Sequence, residues 1–272
     1  MSLDETALSQ GELYTILTNK AAKGKKGVLV AIIKGTDSAK VISILEKIPL
    51  HLRNHVKEVT LDIAASMEKI VKHCFYKAVI VIDRFHVQKL AYDAVQEMRI
   101  MYRWEAIEQE NKEIELSKEL KKKHIPDILE NGDTLKQLLA RSRYLLFKSE
   151  THWTPTQRHR AEILFLKYPA LETAYHLSIK LGQIYHQTKE KGVAYTKLAR
   201  WYDSVDKHKF KSFNTVARSI ESHYQTILNY FDNRSTNASA ESFNAKIKAF
   251  RSSFRGVRNI SFFLFRLANI YA

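Results

Sequence analysis

Two hydrophobic stretches of the chain each end on an aspartate. "VIVIDRFHV" runs through β-branched residues into Asp83, and "VKEVTLDIAASM" does the same into Asp62. A carboxylate at the end of a buried strand costs free energy unless it is hydrogen-bonded or bound to a cation. The two aspartates are therefore candidate metal ligands at one end of a β-sheet.

A third acidic candidate lies late in the chain, on a predicted helix. An apolar stripe at helical spacing, which would pack on a sheet, consists of Ala240, Phe243, Ile247 and Phe250. Glu241, Asn244 and Lys248 fall on the adjoining face of the same helix. The stripe would hold the Glu241 carboxylate at the edge of the sheet. A solvated helix with an ordinary surface glutamate fits the same spacing equally well.

Carboxylates from separate elements suit a divalent cation that acts on phosphate. Mg²⁺ prefers oxygen ligands and keeps several waters, so two or three carboxylates can hold it against a phosphodiester. Two such ions, about 4 Å apart, activate the attacking oxygen and stabilise the leaving one. A rigid sheet fixes such ligands better than loops do. The pattern predicts metal-dependent phosphoryl transfer with Mg²⁺ or Mn²⁺.

The net charge points to a polyanionic partner. Lys and Arg number 44 against 29 acidic residues, which gives a formal charge of +15. Such an excess is most often an electrostatic footprint for nucleic acid, although a merely basic protein has the same composition. Carboxylates at strand ends would repel phosphate unless a metal lay between them. The combination favours DNA or RNA over other partners.

Other classes of protein are disfavoured by the composition. No apolar run approaches the roughly 18 residues that a membrane span needs. The N-terminal stretch "MSLDETALSQGELY" is acidic and polar, unlike a signal peptide. Cys74 is the single cysteine, so neither a disulfide framework nor a cysteine-based metal cluster is expected. These features predict a cytoplasmic protein without a membrane partner.

The order of strand-like and helix-like segments predicts the fold class. Residues 1–95 show the order β-β-β-α-β-α-β-α, which is typical of an α/β fold with a ribonuclease H-like mixed sheet. Residues 96–233 have a helical pattern throughout and predict a large all-α insertion. Residues 234–272 are expected to return to the core as helices, and the last catalytic helix lies there.

Several stretches together resemble a known family. "LDETALSQGELYTIL", "VKEVTLDIAASM", "VIDRFHVQKLAYDAVQEMR" and "STNASAESFNAKIKAFRSSFRGVRNISFFLFRL" are similar to the catalytic domain of bacterial insertion-sequence transposases. The branch is the IS-L-three family, and the wording is closest to its ISAon-like members. The resemblance implies a ribonuclease H-like fold and a cytoplasmic, nucleoid-associated enzyme. It also implies cleavage and joining of DNA at element ends and target through an Asp-Asp-Glu triad.

Carried over motif by motif, the resemblance assigns the triad to Asp4, Asp62 and Glu241, which would also be the metal ligands. Asp83 then becomes a fourth carboxylate that orients the site or pairs with Arg84 or a nearby lysine. Auxiliary roles are expected for Asp83, His86 and Asn244. His86 contacts DNA or a phosphate, or it bonds to backbone at a helix start. The residues expected to contact DNA are Arg84, Lys246, Lys248, Arg251, Arg255 and Arg258.

One departure from the family pattern concerns the N-terminus. Transposases of this family resemble two-part proteins with a DNA-binding region before the catalytic domain, whereas here Met1 to Leu3 alone precede Asp4. We therefore expect a separate or missing N-terminal DNA-binding part to recognise the element ends, or the insertion to recognise them. The first strand is expected to be short. Synapsis of two element ends implies a homodimer.

Two other functions share parts of this pattern. A nuclease or junction resolvase on the same fold would use the same carboxylates but would only hydrolyse DNA. A domesticated, inactive DNA-binding protein would bind DNA without any effect of metal. Joining of a pre-cut end distinguishes the transposase from both.

Overall fold

The computed structural model describes residues 1–8, 11–253 and 259–272. The described chain divides into two compact units. Unit 1 comprises Met1–Val87 and His223–Ala272, and unit 2 comprises Gln88–Ser222. The chain therefore leaves unit 1 once and returns to it.

Unit 1 contains a five-stranded mixed sheet in the order β3-β2-β1-β4-β5. The strands are β1 (Ser2–Ala7), β2 (Leu13–Thr18), β3 (Leu29–Lys34), β4 (Glu58–Leu61) and β5 (Val79–Ile82). The first three strands are antiparallel neighbours, whereas β4 runs parallel to both β1 and β5. Parallel neighbours need a crossover connection, and helices supply it on both sides of β4.

The parallel register puts the three strand aspartates on one level of the sheet. Ser2 pairs with Thr60, so Asp4 continues opposite Asp62 two residues further along. Leu61 pairs with Ile82, so Asp62 and Asp83 both follow at the next position. Three neighbouring strands thus bring their aspartates to the same level of the sheet.

The helices of the described residues follow in chain order. They are α1 (Ser38–Leu45), α2 (Leu50–Arg53), α3 (Ala65–Cys74), α4 (Arg84–Glu119), α5 (Leu135–Arg141), α6 (Pro155–Lys167), α7 (Pro169–Gln187), α8 (Lys191–His208), α9 (Lys211–Ser222), α10 (Tyr224–Leu228), α11 (Tyr230–Asn233), α12 (Ala238–Ser253) and α13 (Ile260–Tyr271). Within that part of the chain, none of them combines the length and the apolar character needed to span a bilayer.

Helix α12 packs on the antiparallel half of the sheet through the stripe seen in the sequence. Phe243 and Ile247 are fully buried in a cluster with Tyr14 and Ile16 of β2, and Phe250 packs at its border. Helix α13 contributes two further members to the cluster, Phe263 and Leu267. Burying each large apolar side chain contributes about 1.5–3 kcal/mol of stabilising free energy, which holds α12 against the sheet. The position of Glu241 on α12 follows from it.

Unit 2 is built from helices α5 to α9 and most of α4. Trp201 of α8 is completely buried there, and its indole nitrogen donates to the Leu177 carbonyl oxygen of α7 at 2.8 Å. The mixed α/β class and the largely helical middle of the chain agree with the patterns in the sequence.

One expectation needs correction. The first strand is not short: β1 has 6 residues, as β2 has, and lies between two hydrogen-bonded neighbours. Unit 2 ends at Ser222, and the all-α insertion predicted over 96–233 stays a prediction. Helices α10 and α11 belong to unit 1, where the Asn229 amide donates to the Ile80 carbonyl oxygen of β5 at 2.8 Å. Helical periodicity marks a helix but not the unit on which it packs.

Candidate active site

Asp4 is a buried carboxylate in the middle of β1. Its Oδ1 accepts a hydrogen bond from the Glu5 backbone N–H at 2.8 Å, and its Oδ2 accepts one from the Asn244 side-chain amide at 2.5 Å. Burial, and next the negative charge of Asp62, raise the pKa of Asp4 to about 6, and the charge of Glu241 adds to the rise. Burial and the neighbouring carboxylates therefore both disfavour the charged form of Asp4.

Asp62 forms a close ion pair with His86. The His86 Nε2 lies 2.6 Å from the Asp62 Oδ1. Burial alone lowers the pKa of His86, but the hydrogen bond to Asp62 and the charges of Asp62, Asp83 and Asp4 raise it overall. These neighbours thus favour the protonated, positively charged form of the ring. This contact is neither of the two expected from the sequence, a phosphate or the backbone.

Asp83 connects β5 to the start of α12. The side chain is only 2% exposed, and its Oδ1 accepts from the Phe85 backbone N–H at 2.9 Å. Its Oδ2 accepts from the Asn237 backbone N–H at 2.6 Å. Both oxygens therefore have backbone donors. Among the expected roles of Asp83, orienting the site fits these contacts.

Asn237 was not singled out from the sequence, and it contacts three parts of the site. In addition to the Asp83 bond, its side-chain amide donates to Asp62 Oδ1 at 3.3 Å. Its own Oδ1 accepts from the Ser2 hydroxyl at 2.5 Å. Asn237 is fully buried and directly precedes α12. The sequence did offer one signal for Asn237: an asparagine directly before a predicted helix often caps that helix.

Glu241 lies in the first turn of α12, four residues after Asn237. Its backbone N–H donates to the Asn237 carbonyl oxygen at 2.9 Å, so the residue that touches the aspartates also begins the helix. Asp83, His86 and Glu241 each offer a ligand atom within 4.8 Å of the other two. Of the three, Glu241 is the exposed one. In this arrangement the glutamate side chain is the one open to solvent, and hence to a substrate.

The six acidic and auxiliary candidates therefore come together, whereas the basic candidates are more dispersed. Lys246 donates to the Gly24 carbonyl oxygen at 3.4 Å, and the Arg251 guanidinium lies 5.2 Å from the centre of the Phe263 ring. Lys248 is exposed on α12, and Arg84 is the half-buried first residue of α4. Two further candidates, Arg255 and Arg258, lie outside the described residues.

Replacing Asp4 by Asn should stabilise the metal-free protein at neutral pH. The raised pKa means that the folded protein holds the Asp4 proton more tightly than the unfolded chain, so stability falls as pH rises from about 4 to about 6. A shift of about two units corresponds to ~3 kcal/mol at most, and solvent screening reduces it to ~1–2 kcal/mol. The new amide has an acceptor nearby, since Asn244 Oδ1 is buried without a hydrogen-bond partner.

Urea unfolding in EDTA at pH 7 and at pH 4 measures this effect. The free energy of unfolding of Asp4→Asn should exceed that of the wild type at pH 7 and equal it near pH 4. Asp203→Asn, at an exposed position of α8, should change neither value. A loss of stability at both pH values would contradict the prediction that the charged Asp4 carboxylate destabilises the metal-free protein.

A basic chain that gathers carboxylates at the edge of a mixed sheet is typical of a protein that acts on nucleic acid. This chain belongs to a transposase family. The family model DDE_Tnp_ISL3, described as "Transposase", matches residues 1–267. No curated protein matches the chain, and no solved structure matches it. The resemblance seen in the sequence is thereby confirmed, with DNA as partner and transposition, a form of DNA recombination, as the process.

Proposed function

We propose that this chain cuts DNA at the ends of an insertion element and joins them to a target, using Asp4, Asp62 and Glu241 as an Asp-Asp-Glu triad. The carrying observation is the convergence of these groups: Asp4 and Asp62 stand level on adjacent parallel strands. The helix that bears Glu241 begins at Asn237, which is hydrogen-bonded to Asp62. Ligands on a sheet and a packed helix are held more rigidly than ligands on loops.

We further infer that the sheet of unit 1 is a ribonuclease H-like core. The order β3-β2-β1-β4-β5, with three antiparallel strands followed by two parallel ones, supports this assignment. In that core the first and fourth strands are neighbours, which brings Asp4 beside Asp62. Unit 2 then takes the place of the all-α insertion before the last catalytic helix, α12.

The residues present fit a divalent metal such as Mg²⁺ or Mn²⁺. Oxygen ligands dominate the site, and burial and neighbouring negative charges raise the pKa of Asp4, which a bound cation would reverse. When bound, such an ion activates an attacking oxygen and stabilises a leaving oxygen at phosphorus. Asp4, Asp62 and Glu241 would hold it.

Two sets of ligands compete for this assignment. The tightest geometric group is Asp83, His86 and Glu241, rather than the triad. We favour the triad because Asp83, at 2% exposed, is more deeply buried than Asp4, at 8%, and backbone N–H groups hold both of its oxygens, whereas one of the two donors to Asp4 is the Asn244 side chain. An imidazole also suits transition metals such as Zn²⁺ better than it suits Mg²⁺. Asp83 then fixes the start of α12, and His86 balances the charge of Asp62.

The remaining residues of the site position these groups and the substrate. Asn244 orients the Asp4 carboxylate through its amide, and Asn237 couples Asp62 to α12. Lys248, exposed one turn after Asn244 on the same helix, is the clearest contact for a DNA phosphate among the described basic candidates. Two such active sites would work together in a synapsed homodimer.

A strand-transfer assay tests the proposed function. A labelled duplex with the pre-cut end of the element that encodes this chain is incubated with a supercoiled target plasmid and Mg²⁺. We expect joined products that depend on metal and disappear in EDTA. Hydrolysis of the duplex without joining would instead identify a nuclease, and DNA binding that metal does not alter, with no product, would identify an inactive binding protein.

A further inference from the structure

Three arginines of unit 2 lie close together, and one glutamine bonds to two of them. Arg99 and Arg103 lie one turn apart on α4, and Arg143 follows α5. The Gln96 Oε1 accepts from Arg99 Nε at 2.7 Å, while its amide nitrogen donates to the Arg143 carbonyl oxygen at 3.2 Å. Arg99 Nη1 also donates to the Leu139 carbonyl oxygen at 3.0 Å. These bonds join Arg99 and Arg143 through Gln96, and Arg103 lies one turn after Arg99; the three residues are called the arginine cluster.

No carboxylate within the described part of the chain pairs with the arginine cluster. The acceptors of Arg99 are two neutral carbonyl oxygens, although the residue is only 6% exposed. The Arg103 Nε is buried and has no hydrogen-bond partner at all. The Arg143 guanidinium lies 5.4 Å from the centre of the exposed Tyr144 ring, which attracts a cation but does not neutralise it.

Unit 2 shows elsewhere how a structural arginine is held. Arg141 and Arg160 both pair with the fully buried carboxylate of Asp133. A buried guanidinium without such a partner costs free energy, and like charges nearby increase the cost. Burial, followed by the charges of Arg143 and Arg103, indeed lowers the pKa of Arg99. Binding of an anion lowers the free-energy cost of such unpaired positive charges.

We propose that the arginine cluster binds a backbone phosphate of DNA. The planar guanidinium matches the geometry of phosphate oxygens in two-pronged hydrogen bonds. Arg103 and Arg143 both reach the solvent, so a phosphate can approach them, while Arg99 adds its charge from beneath. The site rests on DNA being the partner of this family and not on the carboxylate triad of unit 1.

The first test measures how DNA affinity depends on salt. Anisotropy of a labelled oligonucleotide duplex is titrated with the full chain in EDTA at several KCl concentrations. Arg143→Gln and Arg103→Gln should each lower the slope of log K against log[salt] by about one, because each neutralised phosphate releases about one counterion. Arg200→Gln, at an exposed position of α8 in the same unit, is the matched control and should leave the slope unchanged.

The second test separates a binding role from a structural one. Arg103→Met removes a half-buried guanidinium whose Nε has no hydrogen-bond partner, so the melting temperature of the variant without DNA should stay the same or rise while its DNA affinity falls. A lower melting temperature with unchanged salt slopes would overturn the proposal. So would competition by an acidic peptide as strong as competition by an oligonucleotide, since that would make the partner a protein.

The outcome is independent of the chemistry proposed for unit 1. Because binding is measured in EDTA, the same slopes are expected when Arg143→Gln is combined with Glu241→Gln. Suppose that the wild-type chain fails to join DNA. If Arg143→Gln then leaves the salt slope unchanged, both the arginine cluster and the triad are refuted. If Arg143→Gln lowers the salt slope, the cluster is supported and the triad alone is refuted.

Discussion

Replacing Glu241 by Gln should lower DNA cleavage and strand joining by roughly two to four orders of magnitude, because the change removes a proposed ligand of the divalent metal. The substitution keeps the size of the side chain. Glu241 is exposed in the first turn of α12, so the loss of its helix-end interaction costs only about 0.3–1 kcal/mol of stability. The fold should survive while the chemistry fails.

DNA binding by the same variant should move in the opposite direction. Without metal, a negative charge close to the phosphates is repulsive, so binding in EDTA should be equal or tighter after its removal. Glu172→Gln makes the same change in the first turn of α7 in unit 2 and should leave every activity intact. Electrophoretic binding curves beside a cleavage time course measure both effects. Normal cleavage by Glu241→Gln would refute its place in the triad and make Asp83 the next candidate.

Asp62→Asn and Asp83→Asn should both abolish most of the activity, but for different reasons. Asp62 is half-buried, and the new amide keeps an oxygen for His86 and Asn237. Its loss of activity should therefore come with a change in stability below about 1 kcal/mol. Mg²⁺ is expected to raise the melting temperature of the wild type, and this rise should disappear in Asp62→Asn because the variant would lack a proposed metal ligand.

Asp83→Asn should destabilise the protein as well. Both oxygens of Asp83 accept backbone N–H groups, and an amide can satisfy only one of the two. The other N–H would face a second donor in a buried place, which costs about 1–3 kcal/mol. Helix α12 would lose a contact at its first residue, and Glu241 would be misplaced. An Asp83→Asn variant with wild-type stability, no activity and no response to Mg²⁺ would show that Asp83 is a metal ligand itself.

The local pattern of the sequence was sufficient for the elements that carry the site. The β-branched runs before Asp62 and Asp83 predicted the strands after which both residues lie. Phe243 and Ile247 predicted the buried face of α12 because helical periodicity and burial depend on residues three and four apart. The length of β1 was underestimated, since the pairing of a central strand depends on neighbours far away in the chain.

The contacts inside the site could not be read from such patterns. Asn237 touches Ser2, Asp62 and Asp83, and Asn244 touches Asp4, across most of the length of the chain. Asparagine is common in polar loops, so its type alone did not separate a buried bridge from a solvated turn. His86 likewise lay beside a plausible helix start, and only the fold brought its ring onto Asp62.

The sequence by itself determined the order of strands and helices, the basic charge, the acidic candidates and the transposase resemblance, because these depend on composition and short-range periodicity. Only the tertiary structure decided that three aspartates stand level in the sheet and that Asn237 ties two of them, Asp62 and Asp83, to the helix of Glu241. It also showed that Arg99, Arg103 and Arg143 lie close together, with no carboxylate of the described residues paired to them. Hydrogen bonds and unpaired charges are properties of neighbours in space, and packing chooses those neighbours from distant parts of the chain.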